Sequence, residues 1–364
     1  MKAPTACARA VASGGRFGGS VLALAVLLAA PLAQSAPAAE VAQPRDAEHV
    51  RLAAHALLIG LASAGERLIA VGDRGVVVFS DDKGKSWVQA DLVPTQALLT
   101  GVCFFDAQHG LAVGHDEVIL ATADAGRSWK RTHYAPEAQQ PLLDVWCGAG
   151  GHAIAIGAYS TYLTSEDGGA TWTARKFAPA SPQPQAVGAR GARSATGAVP
   201  AGGYHLNRIV AASPTRLYIA AEAGHLYRSD DAGASWVTLA SPYRGSFFGV
   251  LPLEADAVLA FGLRGNLYRS DDAGASWQKI DTGTMQLLGG AARFDTGGIA
   301  VAGLSGVLLV SRDGGHSFTL QQQRDYTGLS AVVSVGDDEL AAVGDDGTKV
   351  ITLGQMAGTA GATH

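Results

Sequence analysis

Short apolar stretches, separated by polar turns rich in glycine, recur along most of the chain. One kind of stretch ends in a small residue, as in Leu68–Gly72 and Leu340–Gly344. Short apolar runs bounded by turn residues are typical of buried β-strands. The small residue that closes this strand recurs seven times, as Gly72, Gly114, Gly157, Ala221, Gly262, Gly303 and Gly344.

A second motif begins eight residues after this small residue and has the form Ser/Thr-x-Asp-x-Gly-x-Ser/Thr-Trp. We call it the Asp box; it occurs six times, and the last copy has Phe318 in place of Trp. The closing aromatic residues lie 41 to 43 residues apart, except for one interval of 64, so the period is about 42 with one insertion of about 22 residues. The aspartates of the six boxes are Asp82, Asp124, Asp167, Asp231, Asp272 and Asp313.

Each repeat has room for four short strands, A to D, with the small residue at the end of strand B and the Asp box between strands C and D. Four strands in a repeat of this length are typical of propeller blades. We therefore predict an all-β, seven-bladed propeller of four-stranded antiparallel blades over residues 39–356. Because the seventh repeat lacks an Asp box, we expect an N-terminal strand within residues 41–52 to fill the outer position of the last blade and remove an open edge.

Two further segments differ from the repeat. The insertion, residues 177–203, is rich in Ala, Pro and Gly and carries Arg190 and Arg193 with no acidic residue, so we expect a mobile basic loop. Residues 357–364 are expected to be a disordered tail.

The N-terminal residues 1–38 have the pattern of a secretory signal peptide. Basic residues come first, Val21–Leu32 is an apolar run interrupted only by a proline, and Ala36-Pro37-Ala38 resembles a cleavage site. The run is too short to span a membrane, which takes about 20 apolar residues. We therefore expect a periplasmic or otherwise exported protein with no membrane span.

Three cysteines are present, and Cys7 would leave with the signal peptide. Alignment of residues 98–103 with residues 142–147 places Cys103 and Cys147 at equivalent positions of consecutive repeats. Side chains at equivalent positions point in the same rotational sense, so we expect two buried free thiols, although an oxidising compartment also permits a disulfide.

Composition and charge exclude several classes. The 364 residues include 27 Lys plus Arg against 32 Asp plus Glu, a net charge of −5, so nothing indicates a nucleic-acid-binding protein. Hydrophobic residues make up 48% and charged residues 16%, which excludes an acidic disordered chain.

The Asp boxes are interpreted as structural. An aspartate after a strand can accept hydrogen bonds from backbone N–H groups of the following turn, and the glycine supplies the positive φ that the turn needs. One copy in each of six blades spreads the carboxylates around the rim, so we expect no catalytic site from them. The histidine and cysteine spacings match no metal site, and no cofactor is expected.

Successive strands in a blade are antiparallel, so A–B and C–D turns lie on one face, the Asp-box face, and B–C turns and D–A crossings on the other, the B–C face. The B–C face collects arginines with a nearby tyrosine, a combination suited to protein recognition. Alternatively, each arginine pairs with a neighbouring acid such as Asp73 or is solvated. The candidate partner-binding residues are Arg74, Tyr243, Arg244, Arg264, Arg190 and Arg193.

Several segments resemble the photosystem II stability and assembly factor family, including its relatives in other bacteria. They are Gly-Asp-Arg-Gly at 72–75, Tyr-His-Leu-Asn at 204–207, Ser-Pro-Tyr-Arg-Gly-Ser at 241–246 and the stretch 262–272, together with the six Asp boxes.

The resemblance implies a non-enzymatic assembly factor or scaffold outside the cytoplasm that binds a membrane or envelope protein through its arginine-bearing face. In a relative without a photosystem, an exporter component would be one such partner, and a monomer is expected. The alternatives are a glycan- or peptide-binding propeller and, with less support, a sialidase-like glycoside hydrolase. Sialidases require three convergent arginines and an early Phe/Tyr-Arg-Ile-Pro segment, which this sequence lacks.

Overall fold

The computed structural model describes residues 45–181 and 203–353. The predicted signal peptide, most of the insertion with Arg190 and Arg193, and the predicted C-terminal tail lie outside the described residues.

Within the described residues the chain forms seven antiparallel sheets, which we number as blades 1 to 7 in chain order. Blades 1 to 3 consist of β1 Leu58–Ala64, β2 Arg67–Gly72, β3 Val77–Ser80 and β4 Val88–Gln89; β5 Leu99–Phe104, β6 Gly110–Gly114, β7 Ile119–Thr122 and β8 Lys130–His133; and β9 Leu142–Cys147, β10 Ala153–Gly157, β11 Tyr162–Ser165 and β12 Thr173–Ala174. Blades 4 and 5 consist of β13 Leu206–Ala211, β14 Leu217–Ala221, β15 Leu226–Ser229 and β16 Val237–Thr238; and β17 Phe247–Pro252, β18 Val258–Gly262, β19 Leu267–Ser270 and β20 Gln278–Ile280. Blades 6 and 7 consist of β21 Leu288–Arg293, β22 Ile299–Gly303, β23 Val307–Ser311 and β24 Thr319–Gln322; and β25 Leu329–Ser334, β26 Glu339–Gly344 and β27 Gly347–Thr352.

The predicted all-β, seven-bladed propeller with four-stranded antiparallel blades is confirmed, and the first strand of each blade packs against the first strand of the next. The small residue at the end of strand B is explained by a close approach. A Cβ atom added at Gly72 would lie 2.0 Å from the carbonyl oxygen of Leu57, and one added at Gly114 would lie 2.1 Å from that of Leu98. Each carbonyl accepts a hydrogen bond from the residue after the glycine, which joins strand B to the crossing segment.

The Asp boxes form closed hydrogen-bonded turns. In the first box, Asp82 Oδ1 accepts hydrogen bonds from the Ser86 backbone N–H and from the Ser80 hydroxyl, both at 2.8 Å. The Ser80 hydroxyl in turn accepts a hydrogen bond from the Gly84 N–H, and Trp87 Nε1 donates to the Gly84 carbonyl. The other five boxes repeat the carboxylate contacts, so the aspartates are engaged within their own turns.

Four boxes are also joined to the preceding blade by a hydrogen bond that we call the latch. The residue after the aspartate has a positive φ, and its carbonyl accepts a hydrogen bond from an Arg or His side chain of the preceding blade. The four donor and acceptor pairs are Arg67 to Ala125 (3.2 Å), His152 to Ala232 (3.0 Å), Arg228 to Ala273 (2.9 Å) and Arg269 to Gly314.

Cys103 and Cys147 form a disulfide between β5 and β9, with a Cα–Cα distance of 5.7 Å, so the expectation of two free thiols is wrong. The reason is register. Gly114 pairs with Leu99, four residues before Cys103, whereas the equivalent glycine of blade 3 pairs with Leu142, five residues before Cys147. The cysteines are therefore offset by one position, and neighbouring residues in a strand point to opposite faces, so the two side chains face each other across the blade boundary.

The expected N-terminal closing strand is absent from residues 45–52, and its remaining residues, 41–44, lie outside the described part of the chain. Residues 45–50 lie against blade 1 instead, where the Ala47 N–H donates to the Val93 carbonyl and the Val50 N–H to the Gln89 side chain. A short 3-10 turn, Ala53–His55, then packs between β27 and β4. Blade 7 therefore has three strands among the described residues. The backbone groups of residues 45–50 find partners along blade 1 and not along β27.

The Asp boxes predict how the stability of the protein depends on pH. Hydrogen bonds from Ser86 lower the pKa of Asp82 to about 2, and those from Thr171 lower the pKa of Asp167 to about 2, from ordinary values of 3.8. The folded state favours the charged carboxylates. Their contribution to the free energy of unfolding is therefore complete above about pH 4 and is lost as the pH falls toward 2. We expect the melting temperature to fall over this range, and to fall less in the Asp82→Asn, Asp167→Asn double variant. Asp337→Asn, which removes an exposed carboxylate outside the boxes, is the control and should keep the wild-type dependence of melting temperature on pH. Equal slopes in the double variant and the wild type would contradict this role of the boxes.

The disulfide predicts that Cys103 and Cys147 resist alkylation in the unfolded, unreduced protein. Tryptic digestion without reductant should yield one cross-linked pair of peptides that contain these cysteines, and Cys147→Ser should lower the free energy of unfolding by about 2–4 kcal/mol. Mass spectrometry and urea denaturation measure the two effects. Complete alkylation of both thiols without prior reduction would show that the bond does not form.

Candidate functional site

The tips of the B–C turns share one backbone conformation. In blades 1 to 6 strand B runs into a single 3-10 turn whose middle residue has a left-handed conformation, with φ of 51° at Arg74, 54° at Tyr159 and 57° at Arg264. This conformation costs a non-glycine residue about 1 kcal/mol or more, and glycine adopts it freely. The six tip residues are Arg74, Asp116, Tyr159, Ala223, Arg264 and Ser305.

Arg244 and Arg264 lie on either side of the point where the crossing into blade 5 is bonded to the B–C turn of that blade, and we call them the blade 5 arginine pair. Arg264 is the tip of the turn Leu263–Gly265, and Arg244 lies in the preceding D–A crossing. The Leu263 N–H donates to the Ser246 carbonyl at 3.2 Å and so joins the turn to the crossing. Both side chains are exposed, and neither forms an ion pair with any residue in 45–181 or 203–353. The pair therefore presents two uncompensated guanidinium groups on the B–C face.

Arg74 lies apart from this pair, on blade 1. Its side chain is 87% exposed, and its Nε lies 3.7 Å from a carboxylate oxygen of Asp73. An exposed pair at this distance contributes little free energy, so Arg74 remains available but partly neutralised. The structure thus divides the predicted arginine patch into the blade 5 arginine pair and an isolated Arg74.

Tyr243 packs inside the crossing that precedes β17, and only part of its ring is exposed. Its half-buried ring lies 5.8 Å from the ring of Phe247 and stacks at 6.2 Å on Tyr268. The Ser241 hydroxyl donates to the Tyr243 carbonyl at 2.8 Å. These contacts fix the crossing immediately before Arg244, and the role of Tyr243 in partner binding stays a prediction.

Exposed apolar side chains on the same face were not among the sequence candidates. Met285 and Tyr326 lie in D–A crossings and are 74% and 66% exposed, and Leu304 lies in the B–C turn of blade 6. Tyr159 is half exposed at its turn tip, with its ring 5.0 Å from that of His205. The signal for Tyr159 was a large aromatic residue at a turn tip where glycine fits best. Its neighbour Gly203, where the described chain resumes after the insertion, places the end of the insertion on this face.

The Asp-box face offers a different feature, a cavity of about 740 Å³ lined largely by the A–B turns of blades 1, 6 and 7. Its charged lining residues are Glu66, Lys83, Arg293, Asp295 and Asp337. Arg293 is bound to Glu254, at 3.2 Å. The cavity mixes both signs of charge, and no group of three or more metal-ligating side chains occurs in the part of the chain that the structure describes.

The arrangement does not assemble the sialidase constellation. The arginines and tyrosines that could be assigned to such a site lie on blades 1, 3 and 5, and the Glu222 carboxylate of blade 4 accepts a hydrogen bond from the His205 N–H at 3.3 Å. The side chains are therefore spread around the B–C face and do not converge on one point. None of the helical segments in residues 45–181 and 203–353 is long and apolar enough to cross a membrane.

Comparison with known proteins agrees with the resemblance found in the sequence. The family model described as photosynthesis system II assembly factor YCF48 matches residues 83–198. No curated protein matches the sequence. The structure described as YCF48 bound to D1 peptide is 18% identical with a TM-score of 0.62 and covers 88% of this chain and 100% of its own. YCF48 from Cyanidioschyzon merolae is 16% identical with a TM-score of 0.64, covering 82% of this chain and 96% of its own.

The WD40 propeller domain of Doa1 is also similar in fold, with 11% identity, a TM-score of 0.59 and coverage of 86% and 97% of the two chains. At these identities the likeness between structures shows the fold. Together with the family match, it confirms that the chain is similar to the photosystem II assembly factor family.

The turn tips yield a prediction about stability. Arg264→Gly should leave the free energy of unfolding unchanged or raise it by up to about 1 kcal/mol, because glycine relieves the left-handed conformation. Arg264→Val should lower it, because a β-branched residue tolerates a positive φ poorly. Urea denaturation of both variants measures the difference, and a marked loss of stability in Arg264→Gly would mean that the side chain is there for folding.

Proposed function

We propose that this photosystem II assembly factor-like propeller is a non-enzymatic assembly factor or scaffold that holds an extended segment of a membrane or envelope protein on its B–C face. The observation that carries the proposal is the blade 5 arginine pair, two exposed guanidinium groups with no ion-pair partner in the described chain. Exposed apolar side chains share the face with them, as expected for a surface that contacts another protein. A structure of similar fold is described as bound to the D1 peptide, which supports a peptide as the ligand class.

The charge of the site indicates which segment it would bind. Arginine forms paired hydrogen bonds with carboxylates, and the partly neutralised Arg74 adds a weaker positive site on blade 1. A segment with acidic side chains or a free terminal carboxylate would satisfy the pair, while apolar residues beside it would contact Met285 or Tyr159. An exporter subunit is one candidate partner in an organism without a photosystem.

Location outside the cytoplasm is part of the same proposal. The signal-peptide pattern over residues 1–38 supports it. The disulfide between Cys103 and Cys147 supports it independently, because such bonds persist mainly in oxidising compartments.

Charge reversal on the B–C face tests the proposal. In the Arg244→Glu, Arg264→Glu double variant, capture of membrane proteins from detergent-solubilised envelope should fall about tenfold or more, because attraction becomes repulsion at the same place. Wild-type capture should also weaken as salt rises above physiological ionic strength, where the screening length is about 8 Å. Quantitative mass spectrometry of the bound proteins measures both effects.

A matched control makes the same change of charge on the opposite face. Lys83→Glu with Lys85→Glu alters exposed residues of the first Asp box and should leave capture unchanged. Undiminished capture by the arginine variant, in protein with the wild-type melting temperature, would reject the B–C face. Hydrolysis of a sialoside or glucan by the purified protein would reject the non-enzymatic function.

A further inference from the structure

Blade 7 ends in an unpaired strand. Blades 1 to 6 each have a fourth strand, whereas β27 pairs with β26 alone in the described part of the chain. The strand β27 has six residues, Gly347–Thr352, while the third strands of the other blades have four or five. Its outer edge therefore offers a row of backbone N–H and C=O groups without strand partners.

The register identifies which groups face outward. In blade 1, Val77 pairs with Val71, and its carbonyl accepts a hydrogen bond from Ala90, next to the outer strand. The equivalent pair in blade 7 is Thr348 with Val343. Strand residues alternate in the direction of their hydrogen-bonding groups, so the outward groups belong to Thr348, Val350 and Thr352.

The usual protection of an edge strand is missing here. Natural edges carry proline, a bulge or free charges that prevent pairing. The pairing of β27 with β26 runs without a bulge, and Lys349, the only charged residue in β27, has its Nζ 2.5 Å from Asp325 Oδ2. Thr348, Val350, Ile351 and Thr352 all favour extended conformations. The edge is thus competent to pair.

An exposed apolar surface lies beside this edge. The 3-10 turn Ala53–His55 packs against both β27 and β4, the outer strand of blade 1. The large apolar side chains exposed just before and at the start of that turn, which we call the seam patch, are those of Val50 and Leu52. A fourth strand on blade 7 would lie next to the seam patch.

We propose that the outer edge of β27 binds an extended segment of a partner protein as a fourth strand, with apolar side chains of that segment lying on the seam patch. This is a second interaction surface on the perimeter, separate from the B–C face. Addition of a strand recognises any extended backbone, and the alternate side chains supply specificity.

Other occupants fit less well. Residues 45–50 of this chain are already bonded along blade 1. A second copy would pair through an edge only about 20 Å long, and a stable interface between two folded proteins buries about 1,200 Å² or more. A flexible segment avoids this limit because it can follow the edge and then cover the seam patch.

The probe is a fluorescein-labelled octapeptide of alternating threonine and valine, added to the purified full chain and followed by fluorescence polarisation. We expect saturable binding. Val350→Pro removes an outward N–H at a position where an edge strand tolerates proline, and should weaken binding about tenfold or more. Val350→Ala keeps the N–H and is the matched control, which should bind the peptide as the wild type does.

Two N-methylated peptides test strand pairing without altering the protein. One carries methyl groups on the amides of the even-numbered residues only, and the other carries them on every amide. Alternate residues present their N–H groups on opposite edges, so the first peptide keeps one free edge and should bind, whereas the second has both edges blocked and should not. Undiminished binding of the fully methylated peptide would overturn the proposal even if Val350→Pro failed to fold.

The remaining outcomes are also decisive. Absence of binding to the full chain, with binding restored by deletion of residues 354–364, would mean that the protein's own tail occupies the edge and would overturn the proposal. Absence of binding to both forms would overturn it as well. The Arg244→Glu, Arg264→Glu variant should bind the octapeptide normally, so failure of the B–C face and failure of the edge are distinguishable.

Discussion

The structure depends on the hydrogen bonds that each aspartate of an Asp box makes within its own turn. The carboxylate of Asp231, for example, accepts hydrogen bonds from the Ser235 N–H and the Ser229 hydroxyl, and this holds Ala232 in a left-handed conformation. That conformation makes the Ala232 carbonyl available to the His152 side chain of the preceding blade. A local turn therefore determines a contact between blades, and the same device is used at four boundaries.

The Asp-box turns are held by their own side chains, and this explains why the Asp-box face and the B–C face differ in which side chains are free. On the Asp-box face the repeated polar residues satisfy one another, and the arginines there are largely engaged, as in the contacts of Arg216 with Asp230 and Asp256. On the B–C face each turn is closed by a backbone hydrogen bond such as that from the Val76 N–H to the Asp73 carbonyl, and the side chain at the tip takes no part in this bond. The tip side chain is then free to vary from blade to blade. Variation at a fixed backbone is what a recognition surface requires.

The repeat made most of the fold predictable, because the strand B glycine and the Asp box recur at constant spacing. The register of the first strand was not predictable in the same way. The adjacent leucines at 98–99 and 142–143 allow two alignments one residue apart, and a shift of one residue reverses the side on which Cys103 and Cys147 point. The exposed Met285 and Tyr326 were missed for a related reason. Their exposure follows from the path of the crossings, which carry no repeated pattern. The blade 5 arginines were found because they stand in turns that the repeat locates.

The disulfide influences where the ring of blades can open locally. It joins blades 2 and 3, and the latches join blades 1 to 2, 3 to 4, 4 to 5 and 5 to 6, so blades 1 to 6 form one continuously linked arc. Blade 7 meets blade 1 through an apolar cluster that includes Val78 and Ala341. Local opening should start at blade 7, because neither of its boundaries has a latch or a disulfide among the described residues. The amide protons of β27 would then exchange with solvent well before those of β6 and β10, and the propeller would open as an arc with one mobile end.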